Sequence, residues 1–572
     1  MGGPNQAMIN NKAAEQNTYD AIVVGSGISG GWAAMELCKK GLKTILLERG
    51  RNVEHVKDYP TASMNPWDFP HRLELTEQDR LENPIQSTVY DEGCKHFFVN
   101  DQEHPYIQDA PFNWIRGYQV GGRSLTWGRQ TYRLSDLDFE ANAKDGHGVD
   151  WPIRYKDIAP WYDYVESFIG VSGQAAGIPH LPDGIFLPAM DMNCVESHFS
   201  DAVKGHYQDR TVIHGRVANV TRGWNGRGPC QYRNLCLRGC PFGGYFSSNS
   251  STIPAALATG KLTLLPHSIV YEVIYDTQKN KATGVRVIDE LTKQTTEYYA
   301  KIIFLNASTI ATTSILLQST SSRFPNGFGN DSEQVGHNLM DHHISAGAGG
   351  LYEGFEDQYY KGRRPTGIYV PRFRNVSPET TRKDFLRGYG YQASGQRGEW
   401  KDTMIIDDSF GAGLKDALAR PGPWTMWMGA WGECLPNYNN TVTLDKEQKD
   451  KWGLPLLRIH FQFGDNEKAM RKDIMESAVE MMNVAGFKKV EPFDYDVPGG
   501  AAVHELGTAR MGRDPKTSVL NAFNQVHAAP NVFITDGSCM SSGSCQNTSL
   551  TYMALTARAC DYAVSEMKKN NL

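Results

Sequence analysis

The chain has 572 residues, too many for one ordinary domain, so two or more folded units are expected. Lys and Arg number 58 against 64 Asp and Glu, and the net charge of −6 gives no basis for binding nucleic acid or an anionic membrane. No apolar run approaches the roughly 18 residues of a membrane helix, and residues 1–18 are polar, lack the apolar core of a secretory signal, and read as a flexible tail.

Residues 19–24 form a short apolar run of the kind expected for a buried parallel strand. Gly25, Gly27 and Gly30 follow in G-x-G-x-x-G spacing. The first glycine permits a tight turn, the second lets backbone approach a pyrophosphate, and the third lets helix and strand pack closely. A helix through residues 32–37 aims its N-terminal amides at the phosphates. A second strand over 43–47 ends at Glu48, about 20 residues past the glycines, where a carboxylate accepts from a ribose. These features predict an adenine dinucleotide site.

An irregular stretch follows to about residue 112, and then a second glycine-rich segment, R-G-Y-Q-V-G-G-R-S-L-T-W-G, over 116–128. Cys230, Cys236 and Cys240 lie together in one loop, the last followed by Pro241, while the other seven of the ten cysteines are scattered. Three thiolates so spaced resemble an iron–sulfur ligand loop. A disulfide or inert thiols fit the same spacing, and zinc lacks a fourth His or Cys at a short gap. Strand patterns return at 261–265, 269–274, 282–288 and 301–305, and a helix opens near 306.

Residues 345–495 read as a different unit, with strands at 441–444 and 456–461 and a helix from Asp465 as its cap to Ala485. His504 stands in V-H-E-L-G-T-A-R-M-G, and Asn547 follows 43 positions later in C-Q-N-T-S-L-T. A last strand is expected over 531–537 and a closing helix over 548–567, so the nucleotide-binding unit is expected to be discontinuous. A lone His504 reads as a satisfied core histidine and a lone Asn547 as a helix N-cap. His337, His342 and His343 cluster beside Asp341 and raise a metal as an alternative to packing. Glu505 adjoins His504, but neighbours on a strand point to opposite faces.

Taken together, A-I-V-V-G-S-G-I-S-G-G, V-G-G-R-S-L-T-W-G, I-F-L-N-A-S-T-I-A-T-T-S-I-L-L-Q-S, V-G-H-N-L-M-D-H, H-E-L-G-T-A-R-M-G and I-T-D-G-S-C-M resemble, in order and spacing, the glucose–methanol–choline (GMC) flavoprotein oxidoreductases. The resemblance spans nearly the whole chain. It implies an α/β fold with a discontinuous Rossmann-like FAD-binding domain (residues 19–140, 211–344 and 496–572). A substrate domain with an antiparallel sheet and helices would occupy 141–210 and 345–495. FAD would be held by Gly25, Gly27, Gly30 and Glu48, with Val270 near the adenine. The loop carrying Gly121 and Ser124 would run along the flavin, and Asp536, Asn547 and Thr548 would close over pyrophosphate and ring. Thr126, just before Trp127, stands where some relatives tether FAD to a histidine, so the FAD is expected to be noncovalent.

The His504/Asn547 pairing resembles the branch with pyranose 2-oxidase and the bacterial sugar dehydrogenases. The cysteine loop resembles one that holds a [3Fe–4S] cluster in that branch, its first gap here being one residue longer. The implied reaction is hydride transfer from a sugar or glycoside hydroxyl to flavin N5, with His504 as base and Asn547 steadying the alkoxide. A glucoside 3-dehydrogenase is one expectation; pyranose 2-oxidase and gluconate 2-dehydrogenase are others. A hydroxynitrile lyase or a nonenzymatic flavoprotein represents a different class. The implied partners are a small export subunit and a cytochrome c. Location is then periplasmic on the partner's signal, or otherwise cytoplasmic.

Overall fold

A computed structural model describes residues 17–358, 367–398 and 410–572; the tail expected over 1–18 lies, up to residue 16, outside the described residues. Thr18–Val24 is a strand whose last four residues are all buried, and the helix Ile28–Lys39 follows its glycine turn. The strand lies between Thr44–Leu47 and Thr295–Leu305, parallel to both. Leu262–Leu265 and Ala529–Ile534 extend the parallel array on either side. The hairpin of Ser268–Asp276 and Lys281–Asp289 joins Thr295–Leu305 antiparallel, and Gln525–Val526 closes the far edge, making eight strands.

This sheet thus draws its strands from three stretches of chain far apart in sequence. Apolar side chains on both faces explain why its inner strands read as continuous hydrophobic runs. The helices Ile28–Lys39, Tyr155–Ile169 and Ser549–Lys568 pack together, and their buried faces share one core with the sheet.

A second sheet has six antiparallel strands, in the order Lys488–Asp494, Ala346–Tyr352, Trp424–Gly432, Tyr389–Arg397, Ile368–Val370 and Ile213–His214. One face, with Ala348, Tyr391 and Met428, packs on the helix Asp465–Val484 through Met470, Ile474 and Met481. Alternation turns Gln392, Trp427, Gly429 and Trp431 to the opposite face. Gly464, not Asp465, caps that helix, its N–H donating to Glu467. Asp465 sits one step inside, where its charge complements the helix dipole. The strands expected at 441–444 and 456–461 form a hairpin, Thr441–Lys449 with Pro455–His460, to which Ile107–Gln108 adds a third strand.

Candidate active site

A cavity of about 580 Å³ opens between the two sheets, lined by Gly25, Gly27, Glu48, Val270 and Asp536 at one end and Gln392, Trp431, His504 and Asn547 at the other. The glycine turn explains its shape. Gly25 has φ +90°, and a Cβ there would sit 2.4 Å from Asn306 O. A Cβ on Gly30 would fall 1.8 Å from Gly25 O, so this glycine lets the helix pack against the turn and does not line the cavity. A Cβ on Gly27 would meet nothing within 4 Å, which leaves bare backbone facing the open space.

Glu48 is buried at the strand end. Its carboxylate accepts from Ser26 N at 3.0 Å, Ser26 Oγ at 2.5 Å and Gly50 N at 3.0 Å. Burial still pushes its pKa up, so further hydroxyl donors would favour the ionised form. Asp536 follows the last parallel strand and accepts from Ser538 N at 3.0 Å and Thr312 Oγ1 at 2.5 Å; burial raises its pKa too. Asn306 lines the same wall and leaves its buried Oδ1 without a partner. Bare glycine backbone, a buried acid at the expected separation and an orphaned amide oxygen fit a dinucleotide. Ser124 lines the cavity, but its hydroxyl is spent on Gly121 O and Ser248 N. Gly121 lies behind the wall, donating to Ser26 Oγ at 2.9 Å, and so braces the first glycine turn. Thr548 lines the cavity as the N-cap of the closing helix, with no side-chain cap bond.

The far end is built around Asp341. Its carboxylate accepts from Gly500 N at 2.7 Å, Ala502 N at 3.3 Å and His504 N at 3.1 Å, so the loop before His504 wraps it. Burial and the nearby Glu505 push Asp341 up to about 8 despite those donors. Met340 and Leu506 exchange backbone bonds, Thr309 Oγ1 holds Glu505 O at 2.6 Å, and Gly507 N donates to Gly537 O. A Cβ on Gly507 would lie 2.1 Å from Asn338 O, so only glycine permits this seam. Val503, β-branched at φ 61°, carries backbone strain beside His504.

One chain of bonds sets the tautomers. Ser544 O can only accept, so His342 Nε2, 2.8 Å away, carries a proton. Burial holds His342 near 4, so it is neutral and its Nδ1 accepts. His504 Nδ1, 3.0 Å from that atom, must then donate, and its Nε2 is left with a lone pair. Burial first, then His342 and Arg123, drive the His504 pKa well below 6.5. Gln392 Nε2 donates to Asn547 Oδ1 at 2.8 Å, which turns Asn547 Nδ2 toward His504 Nε2, 3.5 Å away. Asn547 therefore spends its side chain on the cavity and not on capping the helix, whose N-cap is Thr548. Glu505, which lines the same cavity, forms a two-pronged ion pair with Arg123, at 3.1 and 2.7 Å.

The structure brings His504 and Asn547, singled out by the sequence, to one cavity wall with Gln392 and Arg123, and sets His342 against His504; the sequence did not single out these three as site residues. The D-H-H run was visible and read as packing or metal. The alternation Gln392-Ser394-Gln396 on a strand was an available sign of a polar face. Cys230, Cys236 and Cys240 line a separate small pocket, while Leu237, between the last two, reaches the main cavity. All three thiols are free, and among the described residues no group of three or more His, Cys, Asp or Glu stands ready to hold a metal ion.

Two family models, each described as GMC oxidoreductase, match this chain, one over residues 19–344 and the other over 436–556. The 2-methyl-1,2-propanediol dehydrogenase of Mycolicibacterium austroafricanum is 28% identical, covering 95% of this chain and 94% of its own. The fructose dehydrogenase large subunit of Gluconobacter japonicus is 26% identical over 97% of this chain and 99% of its own. The gluconate 2-dehydrogenase flavoprotein of Pantoea cypripedii is also 26% identical, over 95% and 93%. In fold, the chain matches pyridoxine 4-oxidase from Mesorbium loti with a TM-score of 0.59 at 16% identity, over 96% of this chain and 99% of the other.

Proposed function

The chain belongs to the GMC oxidoreductase family, and on that premise we propose that it is an FAD-dependent dehydrogenase acting on a secondary hydroxyl of a sugar or glycoside. GMC oxidoreductases bind FAD, and a bound FAD supplies the hydride acceptor. Gly25 and Gly27 would meet its pyrophosphate, Glu48 its ribose and Val270 its adenine, with Ser124, Asp536 and Thr548 along the remaining wall. Gly30 and Gly121 would act indirectly, by holding the turn. The absence of a histidine at Thr126 supports noncovalent attachment. This nucleotide-binding unit would be discontinuous, divided by the substrate unit at 141–210 and 345–495.

The observation that carries the reading is the fixed pair at the cavity wall. His504 Nε2, unprotonated and open to the cavity, can take the proton of a substrate hydroxyl. Asn547 Nδ2, oriented by Gln392, can donate to the same oxygen as negative charge develops. Both groups are set before substrate arrives. Two of the relatives are named for carbohydrate substrates and one for a small diol, and the carbohydrate is the substrate proposed. C3 is the proposed carbon, giving a 3-keto sugar, and product analysis separates it from C2. Anaerobic mixing with a panel of sugars should bleach the flavin. His504→Ala and Asn547→Ala should retain FAD and reduce it roughly 10² times more slowly or worse. Wild-type rates in both variants would refute the assignment.

Cys230, Cys236 and Cys240 are proposed to ligate a [3Fe–4S] cluster: the thiols are free and share one pocket beside the cavity wall, and they would have to draw together to hold it. The electrons would then leave to an external acceptor such as a cytochrome c. A relative described as a large subunit supports a small partner subunit, which could carry the export signal to the periplasm. Iron analysis and low-temperature EPR of the oxidised protein test this: iron-free protein with intact sugar-dependent dye reduction excludes the cluster. Rapid peroxide formation without a dye would favour a pyranose-oxidase reading instead.

A further inference from the structure

The cavity-facing side of the six-stranded sheet does not stop at the cavity. Trp431 lines the cavity wall, and Trp427 lies two positions beyond Gly429 on the same strand and face. The ring centroids of Trp431 and Trp427 are 6.4 Å apart. A Cβ on Gly429 would sit 2.4 Å from Trp427 Cζ2, so the indole lies down over the glycine instead of standing off the sheet. Gly347 is paired with Gly429, and Phe493 with Gly347, so no Cβ intervenes between Trp427 and Phe493 across the strands. Trp427, Phe493 and Tyr495 are then nearly parallel in succession, at 6.0 Å and 13°, then 5.2 Å and 16°. Trp427 is 42% exposed and Tyr495 69%. Beside the tryptophans runs the half-buried row Gln392, Ser394 and Gln396, with Ser394 directly paired with Trp427.

An exposed aromatic strip rimmed by polar groups and continuous with a cavity has the character of a ligand surface. Large residues meeting over glycine are a costly way to finish an outer sheet face, since the exposed parts of Trp427 and Tyr495 gain nothing from burial. Pyranose rings match the strip, having apolar C–H faces for indole and phenol and hydroxyl edges for Gln and Ser. We propose that Trp427, Phe493 and Tyr495 form an outer carbohydrate subsite. The ring to be oxidised enters past Trp431 to His504 and Asn547, and the next sugar of a glycoside rests on the strip. The inference rests on the proposed sugar dehydrogenase activity and narrows its substrate to a saccharide of at least two rings.

The test is anaerobic flavin reduction of the FAD-loaded protein by glucose and by glucose-containing disaccharides, in wild type, Trp427→Ala and Tyr495→Ala. Tyr495 is exposed enough for its truncation to leave folding intact. Wild type should half-saturate at lower concentration with a disaccharide. Each variant should raise that concentration about five- to tenfold for the disaccharide, with the limiting rate and the glucose titration unchanged. Trp427→Phe should restore most of the loss. Equal half-saturation for both sugars in wild type, or no change in either alanine variant, overturns the subsite and leaves the dehydrogenase reading intact. A wild-type flavin that no carbohydrate bleaches overturns both. A variant that changes only the assembly mass assigns the strip to a protein partner and overturns the subsite as well.

Discussion

At the level of single residues, the site is a problem of proton placement. His504 is useful as a base only if its Nε2 lone pair faces the cavity, and a backbone carbonyl two contacts away, Ser544 O, settles this through His342. Its pKa is depressed by burial and by neighbouring His342 and Arg123, so the imidazole stays neutral at its ordinary titration point near 6.5. The sign follows: protonation would abolish the base, but protonation is displaced to acid pH. The flavin reduction rate at saturating sugar should stay flat through pH 6.5 and fall only in more acid solution. Stopped-flow reduction across pH checks this, and a half-maximal rate at 6.5 would count against the buried base. The motif around His504 was legible because its residue types and order are distinctive. His342 and Gln392 were not, because their roles arise from contacts 162 and 155 positions away that no local pattern encodes.

At the level of elements, the three glycines after the first strand share a motif but do different physical work. Apolar runs and glycine spacing made the strand–turn–helix legible. Strand order was less so: a sheet assembled from three remote stretches depends on pairings that hydrophobicity alone does not specify. Gly30 carries the helix against the turn, with an added Cβ only 1.8 Å from Gly25 O, whereas Gly27 touches no protein atom on that side. Gly30→Ala should therefore lower the melting temperature of the FAD-free protein, overpacking typically costing about 1–3 kcal/mol. Gly27→Ala should leave the FAD-free protein as stable as wild type and weaken FAD binding, because its methyl would occupy the cofactor's space. Thermal melts of stripped protein together with FAD titration separate the two. Equal melting losses in both variants would show that the open space at Gly27 is not a cofactor's.

At the level of the whole molecule, the cavity lies between the two sheets, and a buried polar strut ties the six-stranded sheet to the segment before Asn547. Arg387, in the connection before the Tyr389–Arg397 strand, donates to Glu433 Oε1 at 2.6 Å, Asn142 Oδ1 at 2.9 Å and Asp145 Oδ1 at 3.0 Å. Asn142 in turn donates to Ser541 O at 2.9 Å, in the segment that leads to Asn547. The strut thus links the six-stranded sheet to the loop carrying half of the proposed catalytic pair. Arg387 and Glu433 are both almost wholly buried, so removing the cation leaves the Glu433 carboxylate, and the half-buried Asp145 beside it, without their counter-charge. Such a loss costs about 3–5 kcal/mol, whereas replacing both partners by neutral groups costs much less. Arg387→Met should sharply lower the denaturant midpoint, and adding Glu433→Gln should recover a substantial part of it. If the strut also sets the site, sugar-dependent flavin reduction will slow in Arg387→Met at temperatures where the protein is still folded. Additive losses in the double variant would mean that the pair is not coupled.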